Sequence, residues 1–278
     1  MNKLIFSLLT MLFFNNSISA QDLEKVKGDR NVTIKQTYVD AFNTIVIGED
    51  FNVEIFYNKK PSIEIETDDN LHEFINFKVK DSVLTFSTSK KITTRRKLAI
   101  KINYGDGFAH IETKDDAEIR SLTSLELKNA SLKTSGSSRA YLNIKASNFD
   151  YTGLDKAKVK LNLTANTSKI ELSGSNKLDA LINSPQLTVD LYQRANANIE
   201  GTSDTIKLRA DNNSQFNGKN FTTNTCELVS EIASDVYIEV TEAISIEASG
   251  SSEIYLYNNP KITISKFLDT VKLQKKTK

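Results

Sequence analysis

The sequence lacks tryptophan and has only one cysteine, three prolines and ten glycines among its 278 residues. So little proline and glycine excludes collagen-like and proline-rich chains. A single cysteine forms no internal disulfide, so the fold must be stabilised by its core. We expect this residue, Cys226, to be a buried strand residue that behaves as a small hydrophobic side chain.

Histidine is also scarce, and the two that occur, His72 and His110, are far apart with no cysteine near either. A structural zinc site requires three or four closely spaced ligands, and Ser-His-Asp or Cys-His catalysis requires a histidine base. No phosphate-binding loop or dinucleotide fingerprint occurs in the sequence. The sequence therefore predicts no metal, no cofactor and no catalytic site of these kinds.

The chain also lacks a large net charge, since its 36 Lys and Arg residues are balanced by 35 Asp and Glu residues. This balance removes the electrostatic basis for nucleic-acid binding. After the first twenty residues no apolar run is long enough to cross a bilayer, which requires about 20 residues. We expect no nucleic-acid partner and no transmembrane segment in the mature chain.

The N-terminus has the features of a secretory signal peptide. Lys3 is followed by the apolar run Leu4–Phe14 and then by Asn15–Ala20, which is polar and ends in a small residue. The pattern predicts a signal peptide over residues 1–20, with cleavage near Ala20 and a mature chain beginning at Gln21. Export would place the protein in the periplasm, on the cell surface or outside the cell.

Beyond the signal, residues 21–41 are polar and are predicted to form a loose leader. Residues 42–107 alternate between apolar and polar, as in Phe51, Val53, Ile55 and Tyr57. Such alternation is typical of strands with one buried face. We predict an N-terminal β region that is continuous with the following segment or packed on it.

Residues 108–278 repeat one pattern of short alternating strands separated by small-residue steps, and they end in a basic tail, Gln274–Lys278. A period of about 20 residues predicts a β-solenoid with irregular rungs, in which each unit buries its apolar side only by stacking on its neighbours. The predicted turn centres are Gly136, Gly153, Gly174, Tyr192, Asp211, Glu231 and Gly250.

The alternation also predicts which side chains point into the solenoid. The first clear rung contributes Leu132, Thr134, Ala140, Leu142 and Ile144. The later rungs contribute Val159, Leu161, Leu163, Ile170, Leu172, Leu187, Val189, Leu191, Ile206, Leu208, Leu228, Val236, Ile238, Val240, Ile244, Ile246, Ile254 and Leu256.

Several segments resemble the GIN-domain family of exported bacterial proteins, which are described as head domains of autotransporter adhesins. They are Phe42–Ile47, Phe51–Ile55, Ile63–Leu71 and Ala248–Pro260, together with the repeated Ser-Gly-Ser or Thr-Gly steps. The chain departs from the family at Asn259, where members tend to carry glycine. The resemblance implies an all-β, right-handed parallel β-helix-like solenoid and an envelope or extracellular location. It transfers no catalytic residue.

Two groups of residues are candidates for a binding surface. One is a set of tyrosines expected to point outward, which either bind a sugar or protein or simply fill strand positions: Tyr141, Tyr151, Tyr192, Tyr237, Tyr255 and Tyr257. The other is a basic cluster, which either contacts an anionic glycan or lipid headgroup or is a solvated hairpin loop: Lys90, Lys91, Arg95 and Arg96.

We therefore expect an exported, non-enzymatic β-solenoid that binds a glycan or a cell-surface protein in the manner of an adhesin. The alternatives are a polysaccharide lyase or hydrolase that uses carboxylates such as Asp68-Asp69 or Asp115-Asp116, and a periplasmic structural or stress-sensing scaffold. Homo-oligomerisation stays open, since solenoid ends require capping.

Overall fold

The structure, a computed structural model, describes residues 23–277 of the chain. The expected signal peptide at residues 1–20 and the expected mature N-terminus at Gln21 lie outside the described residues. Strands contain 68% of the residues and helices 2%, which confirms the prediction of an all-β protein.

The N-terminal part of the described chain consists of short strands and one 3₁₀ helix, Asp69–Phe74. The alternation of apolar and polar residues accounts for most of these strands, because each buries one of its two faces. The strands are β1 (Lys25–Lys27), β2 (Val32–Tyr38), β3 (Thr44–Ile47), β4 (Asn52–Tyr57), β5 (Ser62–Asp68), β6 (Ile75–Lys80), β7 (Val83–Thr88), β8 (Lys91–Thr94) and β9 (Leu98–Tyr104).

The rest of the chain completes a β-solenoid of about nine turns with rungs of about 19 residues, which confirms the predicted architecture and repeat length. The strands are β10 (His110–Thr113), β11 (Glu118–Ser121), β12 (Leu125–Thr134), β13 (Arg139–Gly153), β14 (Lys158–Leu172), β15 (Lys177–Asn183), β16 (Gln186–Leu191), β17 (Asn196–Ala210), β18 (Gln215–Ser230), β19 (Asp235–Ala248), β20 (Glu253–Tyr257), β21 (Lys261–Phe267) and β22 (Lys272–Lys276).

Each rung contributes to two parallel sheets, and a short turn leads to the next rung. In β14 the residues from Lys158 to Thr164 pair with β15 in the first sheet, and those from Thr167 to Leu172 pair with β16 in the second sheet. Because the pairing is parallel and in register, equivalent side chains of successive rungs lie about 4.8 Å apart. Rows of side chains therefore run along the solenoid axis.

The N-terminal region is continuous with the solenoid. Strands β3 and β4 pair in parallel with β10 and β11 on one side and with β7 and β9 on the other, and so form one of its rungs. Antiparallel strands close this end, since β9 pairs with β5 and β5 with β2, while β7 pairs with β6. The expected loose leader is wrong for residues 25–38, because β1 and β2 find partners in β8 and β5, which lie far along the sequence.

The turns share one backbone feature, a residue with positive φ. The predicted turn centres lie in these turns except Gly153, which ends strand β13; the turn follows at Leu154–Ala157. The positive-φ column runs along the edge of the solenoid and contains Glu49, Asp115, Gly136, Asp155, Gly174, Gln193, Asn212, Ile232, Gly250 and Asp269. Where this position is Asp, its carboxylate can bond the turn of the preceding rung, as Asp155 Oδ2 accepts the Gly136 amide at 2.8 Å.

The interior is a single hydrophobic cluster that runs through the solenoid into the N-terminal region. Every apolar residue predicted to point inward is buried, as is Thr134. Cys226 is also buried, as expected, in a row with Ile206 and Ile244. The strict period of two explains this success, since a slip of one residue would expose a whole strand.

At the far end, β21 and β22 form the last described rung. The residues Gln274–Lys276 belong to β22 rather than to a free basic tail. Three apolar residues of β21 pair with inward-pointing residues of β19 but are themselves exposed: Ile262, Ile264 and Phe267.

Candidate binding surface

One row of side chains on the outside of the first sheet combines aromatic and polar groups, and we call it the outer column. Its members face solvent because they alternate with the buried residues of each strand. In-register pairing places them one above another. The outer column consists of Arg120, Tyr141, Lys160, Asp179, Asn198, Asn217, Tyr237, Tyr255 and Gln274.

Tyr141 lies beside a groove of about 490 Å³. The guanidinium group of Arg120 lies 4.4 Å from the centre of its ring, an arrangement that fixes both side chains. Lys160 and Asp179 follow Tyr141 along the outer column and line the same groove, with Asn143 and Asn162 beside them. The groove thus offers an aromatic ring, amide groups, an ammonium group and a carboxylate on neighbouring rungs.

Tyr237 and Tyr255 form a second aromatic group further along the column. Their rings are stacked, with centroids 4.3 Å apart and planes 12° apart, and the ammonium group of Lys276 lies 4.9 Å from the Tyr255 ring. The Tyr255 hydroxyl donates to Glu253, and this bond raises the pKa of Tyr255. Lys272 lowers the pKa of Glu253 through a 2.7 Å hydrogen bond. Tyr255 is therefore held by contacts at its ring and at its hydroxyl.

The other predicted tyrosines do not join this surface. Tyr151 was expected to point outward and is buried, because it pairs with the inward-facing Ile170 and shares its parity. Tyr257 is buried between its ladder neighbours Glu239 and Lys276, so this expectation was also wrong. Tyr192 begins a turn at the edge of the solenoid.

The predicted basic cluster lies in the N-terminal region and shares no residue with the outer column. Lys91 begins β8, Lys90 precedes that strand, and Arg95 and Arg96 follow it, so one of the four cluster residues lies in a strand. Lys90 pairs with Glu24 at 3.0 Å and lies over the Phe74 ring. Arg95 lies 3.4 Å from Asp50.

The carboxylates that sequence reasoning offered as catalytic candidates have structural partners. Asp68 is fully buried and accepts hydrogen bonds from the backbone amides of Arg30 and Arg96 at 3.0 to 3.2 Å. Asp69 accepts from Thr33 and pairs with Lys35 at 3.5 Å, and these two groups lower its pKa. The Asp68-Asp69 pair therefore joins strands of the N-terminal region.

The second acidic pair is part of the turn column. Asp115 Oδ2 accepts the backbone amide of Glu49 at 2.9 Å, and the Asp116 amide donates to the Glu49 carbonyl. Asp115 through its carboxylate and Asp116 through its backbone amide thus connect two successive turns. Across residues 23–277, no three His, Cys, Asp or Glu side chains come together as a metal site.

Sequence reasoning missed most of the outer column. It named Tyr141, Tyr237 and Tyr255 but not the polar residues between Tyr141 and Tyr237, which follow one another at intervals of 19 or 20 positions in the chain. The sequence did contain this information, because residues that are one rung apart and point to the same side of the strand must lie in one row. Reading it required the exact register of each rung, which varies between turns.

The comparisons with known proteins agree with the architecture. A family model described as "Putative auto-transporter adhesin, head GIN domain" matches residues 41–182 and 151–260. The chain belongs to the GIN-domain family. The two overlapping matches together cover most of the solenoid, as expected for a domain built from repeats. No curated protein matches this GIN-domain chain.

Solved structures from Parabacteroides share the fold. A "putative adhesin" from Parabacteroides distasonis has 18% identity and a TM-score of 0.64, and the match covers 90% of this chain and 99% of that chain. A "putative adhesin" from Parabacteroides merdae has 20% identity and a TM-score of 0.55, with 91% and 99% covered. A "putative lipid binding protein" from Parabacteroides distasonis has 14% identity and a TM-score of 0.61, with 90% and 100% covered.

At these identities the structural likeness extends to the fold alone. The description of the family as an adhesin head domain supports an adhesin-like role for this GIN-domain protein. Between residues 23 and 277, no helix has the length and hydrophobicity needed to cross a membrane.

Proposed function

We propose that this GIN-domain protein is exported and acts without catalysis, as an adhesin-like binder of glycan chains along the outer column. The observation that carries the proposal is the groove beside Tyr141, where an aromatic ring lies next to Asn143, Asn162 and Asp179. A sugar ring has an apolar C–H face and a rim of hydroxyl groups. Aromatic rings pack against the first, and amides and carboxylates bond the second.

The geometry of the outer column supports an extended ligand. Five rungs separate Tyr141 from the stacked pair Tyr237 and Tyr255, a distance of about 24 Å at about 4.8 Å for each rung. The residues between them are polar, and Asn198 donates to Asp179 at 2.8 Å. An oligosaccharide lying along the axis would meet one side chain for each rung.

The roles of the acidic pairs support a binder over an enzyme. Hydrolysis of a glycosidic bond requires two carboxyl groups facing each other across the bond. Asp68 is buried under backbone amides, and Asp115 is committed to the Glu49 amide. Neither pair borders the groove beside Tyr141.

The experiment is a glycan and matrix-protein array probed with the purified protein, run beside a polysaccharide-degradation screen. We expect glycan binding, and we expect Tyr141→Ala to weaken it about tenfold or more because the ring is the aromatic group that lines the groove. Tyr38→Ala is the matched control, since Tyr38 is an exposed tyrosine of β2 outside the column. Binding to matrix proteins alone would contradict the glycan assignment, and product release would contradict the non-enzymatic one.

Export has its own test. If residues 1–20 are a signal peptide, protein from the native host has a mass that corresponds to a chain beginning at Gln21 or one residue away. Intact-mass measurement decides this. Retention of Met1 to Ala20 would contradict export by this route.

A further inference from the structure

A second charged surface lies at the opposite end of the molecule from the C-terminal rung, around the small parallel sheet of β1 and β8. Lys25 lies directly beside Lys91 in this sheet, and Lys27 lies beside Thr94. Like charges on neighbouring strands repel each other and destabilise the pairing. We call the cations of this region the basic site; it contains Lys25, Lys27, Arg30, Lys91, Arg95 and Arg96.

Three members of the basic site, Arg30, Arg95 and Arg96, border a pocket of about 340 Å³. Asp68 lies at its base, but its two oxygens already accept the backbone amides of Arg30 and Arg96. Among the described residues, the Arg30 guanidinium has no hydrogen bond or ion pair, and that of Arg96 only donates to the Arg30 carbonyl at 3.4 Å. Two of the three guanidinium groups are therefore available to an anion.

The cations of the small sheet are uncompensated in the same way. In the part of the chain that the structure describes, no acidic side chain pairs with Lys25, Lys27 or Lys91. The whole protein carries a formal net charge of only +1, so this concentration of positive charge is local. Guanidinium groups bind phosphate oxygens through paired hydrogen bonds, which makes a phosphate group a suitable occupant of the pocket.

A groove of about 520 Å³ with a mixed apolar and charged lining lies next to this pocket, and Arg95 borders both. Leu23, which is 48% exposed, Ile92 and Leu98 line the groove. The acids at its edge have partners, since Glu49 accepts from Thr88 at 2.7 Å and Asp50 pairs with Arg95. Positive charge beside an open apolar groove is complementary to an anionic amphiphile.

We propose that the basic site binds an anionic phospholipid, with the phosphate group between Arg30, Arg95 and Arg96 and an acyl chain in the groove beside Leu23. This role is independent of glycan binding by the outer column, because the two surfaces share no residue. It would hold one end of the solenoid at a membrane surface and leave the outer column free. Attraction of basic residues to anionic lipid contributes about fivefold in affinity for each residue near the surface.

The experiment is co-sedimentation of the purified chain with phosphatidylcholine vesicles that contain phosphatidylglycerol at about one lipid in five. We expect binding, and we expect Arg30→Gln combined with Arg96→Gln to weaken it by about 25-fold. Both substitutions keep the backbone amides that Asp68 requires. Urea unfolding of the double variant confirms that the fold is intact.

The matched control is Lys145→Gln combined with Lys156→Gln. These exposed lysines lie elsewhere on the solenoid, and neither has an ion pair among the described residues, so the net charge changes equally. We expect this control to bind vesicles as the unmodified protein does. Absence of vesicle binding, or equal losses in the two double variants, would overturn the proposal.

A further variant separates a lipid from a free phosphate. Leu23→Ser removes an exposed apolar side chain from the groove and leaves the arginines unchanged, so it should weaken vesicle binding severalfold. It should not alter any binding of inorganic phosphate measured by calorimetry. Undiminished vesicle binding by Leu23→Ser, or phosphate binding as tight as vesicle binding, would overturn the assignment of a lipid.

Discussion

The hydroxyl oxygen of Tyr151 fills the space that a side chain on Gly153 would require. A Cβ atom at Gly153 would lie 2.6 Å from this oxygen, which is closer than a Cβ atom approaches a non-bonded neighbour in a folded protein. The hydroxyl group also lies 3.0 Å from Thr134 Oγ1 and 3.3 Å from Asn176 Oδ1, and burial raises its pKa. An aromatic residue of the core thus depends on a glycine two positions later.

This relationship predicts coupling between the two residues. Tyr151→Phe should destabilise the protein by about 1–2 kcal/mol, because Thr134 and Asn176 lose a buried partner. Gly153→Ala should cost about 1–3 kcal/mol through overpacking. The double variant should lose somewhat less than the sum, since removing the hydroxyl group relieves one of the close contacts of the methyl group, the others being with Asn176 Nδ2 and Leu172 Cδ2. Urea unfolding of all four proteins measures the coupling, and strict additivity would contradict it.

The second prediction concerns strand parity in β17. Leu208 is 2% exposed, whereas the adjacent Lys207 lies outside and pairs with Glu227 at 3.1 Å. Leu208→Asp places a carboxylate in the hydrophobic core and should cost several kcal/mol. Lys207→Gln removes an exposed ion pair and should cost about 0.5 kcal/mol or less. Comparable shifts of the two urea midpoints would contradict the assignment of Leu208 to the interior and Lys207 to the surface.

The third prediction concerns the turn column. Ile232 is exposed and has φ of 48°, a conformation that β-branched residues rarely adopt. Ile232→Asn should stabilise the protein by about 1 kcal/mol, because asparagine tolerates this region of φ. Asn212→Ala, at the equivalent position one rung earlier, should be destabilising. Thermal unfolding tests both variants, and a loss of stability for Ile232→Asn would refute the strain.

The fourth prediction distinguishes two adjacent acids. Asp68→Asn should destabilise the protein by about 2–3 kcal/mol, because the new amide group presents donors to the backbone amides of Arg30 and Arg96. Asp69→Asn should cost less than about 1 kcal/mol, since Asp69 is in contact with solvent and pairs with Lys35. Equal effects in denaturant unfolding would show that Asp68 does not hold these segments together.

The fifth prediction uses the single cysteine as a reporter of unfolding. Burial raises the pKa of the Cys226 thiol, and only the thiolate reacts readily with iodoacetamide. At about pH 8 the folded protein should resist alkylation, and the denatured protein should be alkylated rapidly. Mass spectrometry follows the reaction with time. Rapid labelling under native conditions would mean that this part of the solenoid opens readily.

Much of the fold was predictable because the alternation of apolar and polar residues fixes which side chains of each strand point inward. A residue such as Leu208 between Lys207 and Arg209 can have only one orientation in a strand, and the parallel stack then repeats it in every rung. The repeat length followed from the spacing of the turns. The interior was therefore accessible from the sequence without knowledge of the partners of any strand.

Glycine and tyrosine were harder to interpret because each has two physical uses. Gly136 supplies positive φ, but Gly153 supplies missing volume, and the difference depends on where Tyr151 points. Tyr151 fills the core while Tyr141 lies at the surface, although both carry a ring and a hydroxyl group. Strand β1 was missed because its partner β8 is about 65 residues away, and its short polar sequence has no periodicity.

The candidate surfaces needed the register as well as the parity. Tyr141 and Asp179 meet at one groove although 38 positions separate them, because two rungs of 19 residues bring them into the same row. No local sequence motif indicates that these two residues line the same groove. The basic site likewise depends on the pairing of Lys25 with Lys91, which joins distant segments.

The rung length of about 19 residues fixes the spacing of equivalent side chains along the solenoid axis. Deleting or duplicating one whole rung between two turns, such as the one that begins at Lys158, would shift every later residue by one position along the axis and preserve its orientation. The outer column would then be shorter or longer by one side chain, or about 4.8 Å. Proteins of this fold that differ in the number of rungs can thus differ in how many units of a ligand chain contact the outer column at once, without any new type of binding side chain.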